Sequence, residues 1–352
     1  MKRGSRINIK QVAQAAGVST QTVSRVLNHR VDVAPETRQR IQQVINETGY
    51  APNALARGLI QGRSHTLGVV AYGLDYFGPS RVLTGIEQQA AEMGYSIFLR
   101  LLPNAATNDV DNLLDSLIAR QVDGIIWSIP DIGDNRSWSH VRGRDLAVPV
   151  VLVSGMTGPS SLPLVAIDNL AIGRLATQHL LMGGARHVGI VTGVPTWWEA
   201  QQRLAGWRAT LAANGLPADE RLIAAGDWSA KSGEQSLYQL LAQSPNLDAV
   251  FVGNDQMALG VLRAAHRLGR RIPEDLMVVG VDNIPEAAHF WPALTTVRQR
   301  LRASGALAVE RLDGLIQQSP AAARAGDRIE AKVTLLQPEL IVRESTRSAA
   351  SA

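Results

Sequence analysis

Asn8-Ile9-Lys10-Gln11-Val12-Ala13-Gln14-Ala15-Ala16-Gly17-Val18-Ser19-Thr20-Gln21-Thr22-Val23-Ser24-Arg25-Val26-Leu27-Asn28 reads as two short helices around a glycine turn. Asn8 can cap the first helix, and Gln11 follows three positions later, the spacing of a capping box. Val12, Ala15 and Ala16 supply its inward stripe. Gly17 ends it and permits a tight turn. Ser19 caps the second helix, whose apolar positions Val23, Val26 and Leu27 face one way. Thr20, Gln21, Ser24 and Arg25 project elsewhere, a set of short donors and acceptors with one guanidinium. A third helix starts near Pro35, a good first-turn residue, carries Ile41, Val44 and Ile45 as its stripe, and stops at Gly49.

Helix, glycine turn, helix, helix is a plan that places the N-terminal end of the second helix in the DNA major groove. Gln and Arg can each make paired hydrogen bonds to base edges there. The spacing alone also fits any small three-helix bundle. Charge points the same way as the motif. Residues 1–65 hold ten Lys or Arg and three acids, a net of +7, whereas the whole chain is +4, so the remainder is mildly acidic at −3. A basic head on an acidic body suits a polyanionic partner.

Composition narrows the rest. At 352 residues the chain exceeds one ordinary domain, and 45% hydrophobic with 19% charged residues describes a globular chain. No apolar run is long enough to span a bilayer, so no membrane partner is expected. The N-terminus is basic but lacks an apolar segment behind it, which favours the cytoplasm over export. Cysteine is absent, which excludes disulfides, thiolate nucleophiles and cysteine zinc sites. The seven histidines form no metal-ligand motif, and neither a nucleophile elbow nor a phosphate loop occurs. No cofactor, metal or catalytic residue is expected, and the chain does not read as an enzyme.

Residues 60–66 read as a linker, and then the pattern alternates. Leu67–Tyr72, Tyr95–Leu101, Asp123–Ser128, Val148–Ser154, Val165–Ile167, His187–Thr192, Leu247–Val252 and Leu276–Val281 are strand-like. Val82–Met93, Asp109–Arg120, Ala171–Met182, Glu199–Asn214 and Asp255–Leu268 are helical. This order predicts parallel sheets covered by helices on both faces, in two lobes because roughly 280 residues are too many for one sheet. Wound sheets bind ligands beyond the C-terminal ends of their strands. The loops there hold Asp75, Gly78-Pro79-Ser80, Trp197-Trp198-Glu199, Asn254-Asp255 and Asp282-Asn283. Such residues suit a small polar ligand. An indole packs well on the C–H face of a sugar. Trp197 and Trp198, in a loop after a strand, are candidates for that role, whereas Trp207 at helical spacing reads as core.

The wording of the chain is more specific than its spacing. The segment Ile9–Asn28, Thr37-Arg38 and Gly49-Tyr50-Ala51-Pro52-Asn53-Ala54-Leu55-Ala56 closely resemble the headpiece of the lac repressor/galactose repressor family of helix-turn-helix transcriptional regulators. The resemblance continues through Arg203-Leu204-Ala205-Gly206-Trp207, Gly226-Asp227-Trp228-Ser229-Ala230 and Gly253-Asn254-Asp255-Gln256-Met257-Ala258-Leu259-Gly260. It extends to Ile272-Pro273-Glu274-Asp275, Val278-Val279-Gly280-Val281-Asp282-Asn283 and Pro292-Ala293-Leu294-Thr295-Thr296-Val297-Arg298-Gln299. It therefore spans nearly the whole chain.

The resemblance implies an all-α helix-turn-helix headpiece over 1–52 and a hinge helix and linker over 53–66. It further implies an α/β core over 67–345 similar to periplasmic binding proteins. Three crossovers near 165, 294 and 328 would divide that core into an N-lobe of 67–165 with 295–328 and a C-lobe of 166–294 with 329–345. The polar residues after Val342 would be disordered, with 346–352 forming a free tail. Thr20, Gln21 and Arg25 fall on base-reading positions. Ser19, Thr22, Ser24, Asn28 and Tyr50 match positions that hold the phosphate backbone or support the headpiece. Asn53 and Ala56 lie in the hinge helix, and Leu59 would wedge into the minor groove and kink the duplex. Gly58 weakens that short helix, which predicts a hinge disordered off DNA.

In the core, Arg203, Asn254 and Asp282 match effector hydroxyl contacts and Trp228 a stacking wall. Ser80, Ser128 and Gln299 sit at matching N-lobe positions. Ser154 stands where the family's type member carries an acidic contact, which leaves the particular sugar open. Arg203 and Asp282 could instead form a structural ion pair. The expected partners are double-stranded operator DNA, a small-molecule effector of the sugar class, and a second copy of the chain in a homodimer, since no C-terminal leucine heptad is present. The alternatives are a purine-responsive corepressor-type regulator of the same family and a solute-binding protein.

Overall fold

A computed structural model describes residues 7–27, 30, 32–50, 63–103, 110–130, 147–154, 162–325 and 332–346. Asn28, Asn53, Ala56, Leu59, the hinge segment and residues 347–352 lie outside the described residues. The chain divides into two compact units, 1–64 and 65–352.

The first unit is built of α1 (Ile9–Ala16), α2 (Thr20–Leu27) and α3 (Pro35–Thr48). The capping box forms: Asn8 Oδ1 accepts from the Lys10 and Gln11 amides at 3.0 and 3.1 Å, and Gln11 Oε1 accepts from the Asn8 amide at 2.9 Å. Gly17 ends α1 at φ +63°, a left-handed value glycine adopts without a Cβ clash. Ser19 Oγ accepts from the Thr22 amide at 3.1 Å and so caps α2. The three helices bury Val12, Ala13, Ala16, Val23, Val26, Val33 and Ile41 together. Ala13 takes the inward place expected of Ala15, which is exposed, because the stripe runs 12-13-16.

The second unit holds two six-stranded sheets. In chain order its elements are β1 (Thr66–Tyr72), α4 (Phe77–Glu92), β2 (Ser96–Leu102), α5 (Val110–Ile118), β3 (Gly124–Ser128), β4 (Val150–Val153) and β5 (Leu164–Ile167). There follow α6 (Asn169–Met182), β6 (Val188–Thr192), α7 (Trp198–Ala213), β7 (Ile223–Ala225), α8 (Ala230–Gln243), β8 (Ala249–Val252), α9 (Asp255–Arg267) and β9 (Met277–Asp282). The chain ends on β10 (Thr295–Arg298), α10 (Leu301–Ala325), β11 (Val333–Leu336) and β12 (Glu339–Ile341). The N-lobe sheet runs β11-β5-β4-β3-β1-β2, all parallel, and the C-lobe sheet runs β12-β10-β9-β8-β6-β7, parallel except for β12 at its edge. The central strands read as unbroken apolar runs because both of their faces are covered.

Strand pairing moves the lobe boundaries. Thr295–Arg298 pairs with β9 and belongs to the C-lobe, and Val333–Leu336 pairs with β5 and belongs to the N-lobe. The crossovers lie after Ile167, close to the expected 165, and after Arg298 and Leu336, four and eight residues beyond the expected 294 and 328. The residues after Val342 are also built in as far as Thr346. Ser345 is fully buried, donates from Oγ to the Val278 carbonyl at 2.6 Å and accepts from the Thr295 amide at 2.8 Å. Polar residues expected to be disordered here instead satisfy buried backbone between strands.

Helix α6 meets α7 so closely that a Cβ on Gly173 would overlap the Arg203 carbonyl, and one on Gly206 the Leu170 carbonyl. That crossing seats α7, which carries Glu199 and Arg203 toward the junction of the lobes. Trp207 is fully buried and donates to the Val188 carbonyl at 3.2 Å, so it is a core residue as its spacing suggests.

Candidate ligand cleft and nucleic-acid interface

A cleft opens where the C-terminal ends of both sheets face each other, lined from the N-lobe by Tyr72, Tyr76, Ser128 and Ser154 and from the C-lobe by Trp197, Glu199, Arg203, Trp228, Asn254 and Asp282. Its free volume is about 130 Å³. At about 10–15 Å³ per water on that measure, it accommodates a ligand displacing on the order of ten waters.

The cleft is held stiffly from both sides. Ser154 of the N-lobe and Trp228, Asp282 and Asn283 of the C-lobe adopt φ of +96°, +74°, +113° and +55°, left-handed values that cost side-chain-bearing residues about 1–3 kcal/mol each and persist only when their surroundings hold them. Trp228 is held by Asn254, whose Nδ2 donates to the Trp228 carbonyl at 3.1 Å while its Oδ1 caps α9 through the Met257 amide at 2.8 Å. The indole lies over Gly193, where any Cβ would overlap the ring. Trp197 tilts against Trp228 at 5.7 Å and meets Tyr72 and Tyr76 edge-on at 6.1 and 5.6 Å, so four aromatic rings cross from one lobe to the other.

The charged wall faces them. Arg203 is buried and donates from Nε to Asn169 Oδ1 at 2.8 Å and from Nη1 to the Gly253 carbonyl at 2.5 Å. Its burial pulls the guanidinium pKa below the ordinary value, against the raising influence of Asp282, Glu199 and Asp255. Asp282 accepts from Gln299 Nε2 at 2.5 Å. Burial pushes the Asp282 carboxyl up to about 6, opposed by Arg203 and Gln299. Directly behind it, Asp255 is fully buried and accepts from Thr296 Oγ1 at 2.6 Å and from the Ile284 amide at 2.9 Å. Burial, then the charge of Asp282, raises Asp255 to about 8.

A carboxyl whose folded pKa is raised adds stability that is fully present below its ordinary value near 4 and is lost as pH rises through the folded value. Replacing Asp255 by Asn removes that titration and lets the amide donate to Thr296 Oγ1. The stability of the wild type relative to Asp255→Asn is therefore expected to fall by up to about 1.4 kcal/mol per pH unit between pH 5 and 8, in urea unfolding of the full chain. A pH-independent difference would show that Asp255 is ionised in the folded protein.

The other expected ligand contacts divide. Ser128 and Gln299 line the cleft. Ser80 does not, because its hydroxyl donates to the Phe77 carbonyl at 2.9 Å inside the first turn of α4. Trp198 also lies off the cleft, at the first position of α7, whereas its fellow candidate Trp197 lines it. Arg203 and Asp282 share the wall, but their hydrogen bonds go to Asn169, Gly253 and Gln299. Tyr72, Tyr76 and Asn169 also line the cleft, although no motif singles them out.

In the headpiece, Thr20, Gln21 and Arg25 are exposed, on the side of α2 away from buried Val23 and Val26. Arg25 lies 3.6 Å from Asp32, a solvent-exposed pair worth at most about 1 kcal/mol and easily exchanged for a nucleic-acid contact. Ser19 and Thr22 share a 2.9 Å hydroxyl contact at the start of α2, Ser24 is half-buried on the same helix, and Tyr50 packs against the headpiece core.

Residues 8–53 match the model for bacterial regulatory proteins of the lacI family, and residues 177–346 match a periplasmic binding protein-like domain. The lactose operon repressor of Escherichia coli (strain K12) is 32% identical over 343 residues, covering 97% of this chain and 91% of that repressor. The chain belongs to the lacI family. The regulator CelR of Thermobifida fusca is 32% identical over 364 residues, covering 98% of this chain and all of CelR. The structure of a CelR–cellobiose complex matches with a TM-score of 0.70 at 30% identity over 97% of this chain and 100% of that one. A lac repressor dimer bound to operator and the anti-inducer ONPF matches with a TM-score of 0.84 at 29% identity, covering 98% of this chain and 100% of that chain.

As a lacI-family member, the protein is a DNA-binding transcriptional repressor with an effector-binding core. The family plan accounts for the basic first unit and for a cleft between two wound sheets. No group of side chains that could hold a metal ion occurs among the described residues, and none of their helices is long and apolar enough to cross a membrane.

Proposed function

We propose that the protein acts as a homodimer on a two-fold symmetric operator in the cytoplasm and is released from it by a small carbohydrate. The observation that carries the carbohydrate reading is the aromatic wall of Tyr72, Tyr76, Trp197 and Trp228 set against Asp282, Arg203 and Glu199 in one cleft. Indole and phenol faces stack on the C–H face of a sugar, while carboxylates and a guanidinium bond its hydroxyls. The sugar-bound CelR structure supports the same reading, and the operator-bound lac repressor dimer supports the assembly.

Thr20, Gln21 and Arg25 read bases, with Ser19, Thr22, Ser24 and Tyr50 holding the backbone or the headpiece, and paired hinge segments bearing Leu59 bend the centre of the operator. Arg203, Trp228, Asp282 and Gln299 bind the effector, and Asn254 positions Trp228. Release requires that the sugar bind the free form more tightly than the DNA-bound form, since equal affinity shifts nothing. No chemistry on the sugar is proposed, and chromogenic glycosides should survive incubation with the protein.

The test is direct. An operator is first selected from a randomised DNA pool, and the labelled complex is then titrated with mono- and disaccharides and with purines. Release by a sugar at millimolar or lower concentration is expected. Tightening by a purine would instead place the protein among corepressor-dependent regulators.

A further inference from the structure

Two polar atoms in the cleft are buried without a hydrogen-bond partner among the described residues: Oε2 of Glu199 and Nε1 of Trp228. Buried polar groups are rarely left unpaired, and an orphan in a ligand cleft asks what pairs it. Glu199 lies in the first turn of α7, where the helix dipole favours a carboxylate. Its other oxygen, Oε1, accepts from the Ser154 hydroxyl. Ser154 follows β4 of the N-lobe, whereas α7 packs on the C-lobe sheet, so this hydrogen bond joins the two lobes across the cleft. Ser154 is held for it at a left-handed φ of +96°.

Resting on the carbohydrate reading above, we propose that Glu199 is a specificity-determining effector contact that works across the lobe junction. Oε1 keeps Ser154, and Oε2 accepts a hydroxyl proton from an unphosphorylated sugar. The class of ligand follows from what is unpaired. Oε2 needs a donor and the indole Nε1 needs an acceptor, and a polyol supplies both because each hydroxyl is donor and acceptor at once. A phosphate group offers acceptors only near neutral pH and would face two carboxylates, Glu199 and Asp282, with one guanidinium whose Nε and Nη1 already bond protein groups. One carboxylate thus binds the ligand through Oε2 while its Oε1 ties the lobes, so ligand contact and the tie between the lobes share a side chain.

The experiment is calorimetric titration of the full chain with glucose, galactose, lactose, cellobiose and glucose 6-phosphate. At least one neutral sugar is expected to bind, and glucose 6-phosphate to bind at least tenfold more weakly than the tightest neutral sugar. Glu199→Gln keeps an acceptor for Ser154 but turns a donor toward the ligand, and is expected to weaken the tightest neutral sugar by about tenfold to a hundredfold, the worth of a hydrogen bond to a charged group. Glu199→Asp, a second variant that keeps the charge and withdraws it by one methylene, should also bind at least about tenfold more weakly. Thermal melting without ligand establishes that each variant is folded. Among monodeoxy analogues of that sugar, one should bind the wild type about tenfold or more weakly yet lose nothing further in Glu199→Gln. Wild-type affinity in both folded variants, or preference for the phosphate ester, overturns the role of Glu199 while leaving a carbohydrate effector in place. Failure of every sugar to bind the wild type overturns the carbohydrate reading itself.

Discussion

Asp282→Asn is expected to leave operator affinity within about twofold of wild type while raising the sugar concentration needed for release by about a hundredfold. The carboxylate ends β9 at φ +113°, with Oδ1 committed to Gln299, which leaves Oδ2 for the ligand. An amide there can still accept from Gln299 through its oxygen but turns a donor toward the sugar. Losing one or two hydrogen bonds to a charged acceptor costs about 3 kcal/mol, or about a hundredfold. The fold should not suffer, because burial already pushes this carboxyl up to about 6 and a neutral amide relieves that penalty. Fluorescence anisotropy of the operator complex during sugar titration measures both quantities. A normal release curve from Asp282→Asn would remove Asp282 from the ligand's contacts.

Arg25→Ala is expected to lower operator affinity by about tenfold to a hundredfold per half-site, because a bidentate base contact discriminates by about 1–3 kcal/mol. On a two-fold site the losses multiply to as much as about ten-thousandfold. Binding to scrambled duplex should fall far less, through the loss of one cation per headpiece, and its salt dependence should become shallower. Arg25 gives up only the exposed Asp32 pair to reach DNA, so little stability is lost with it. Anisotropy on operator and scrambled duplexes between 50 and 200 mM salt separates the terms. An equal loss on both duplexes would make Arg25 a phosphate contact.

How much of this was legible in the sequence depended on how local the deciding interactions are. The headpiece could be read almost residue by residue, since its caps and glycine stops act over two to four positions. Even there, one step along a helix turns a side chain by about 100°. That rotation explains why Ala13 is buried and Ala15 is not, whereas Trp197 reaches the cleft from extended backbone at the N-cap of α7 and Trp198, the first helical residue, turns away. Strand and helix alternation announced the wound sheets, but α8 and α10 went unread because polar residues and glycines interrupt their stripes. The last crossover was displaced because β11 pairs with β5, far away in sequence, which no local pattern reports, and the second because β10 stays with its neighbour β9 for four residues more. Ser80 sits beside the cleft in sequence but spends its hydroxyl on its own helix. The Ser154–Glu199 bond links residues 45 apart on different lobes, so neither residue alone discloses it.

The three crossovers also govern how the protein is made. Neither sheet is encoded by an uninterrupted stretch of gene. The N-lobe waits for Val333–Leu336 and the C-lobe for Glu339–Ile341, so both stay open-edged on the ribosome long after their first strands have emerged, whereas the helical head closes after its first fifty residues.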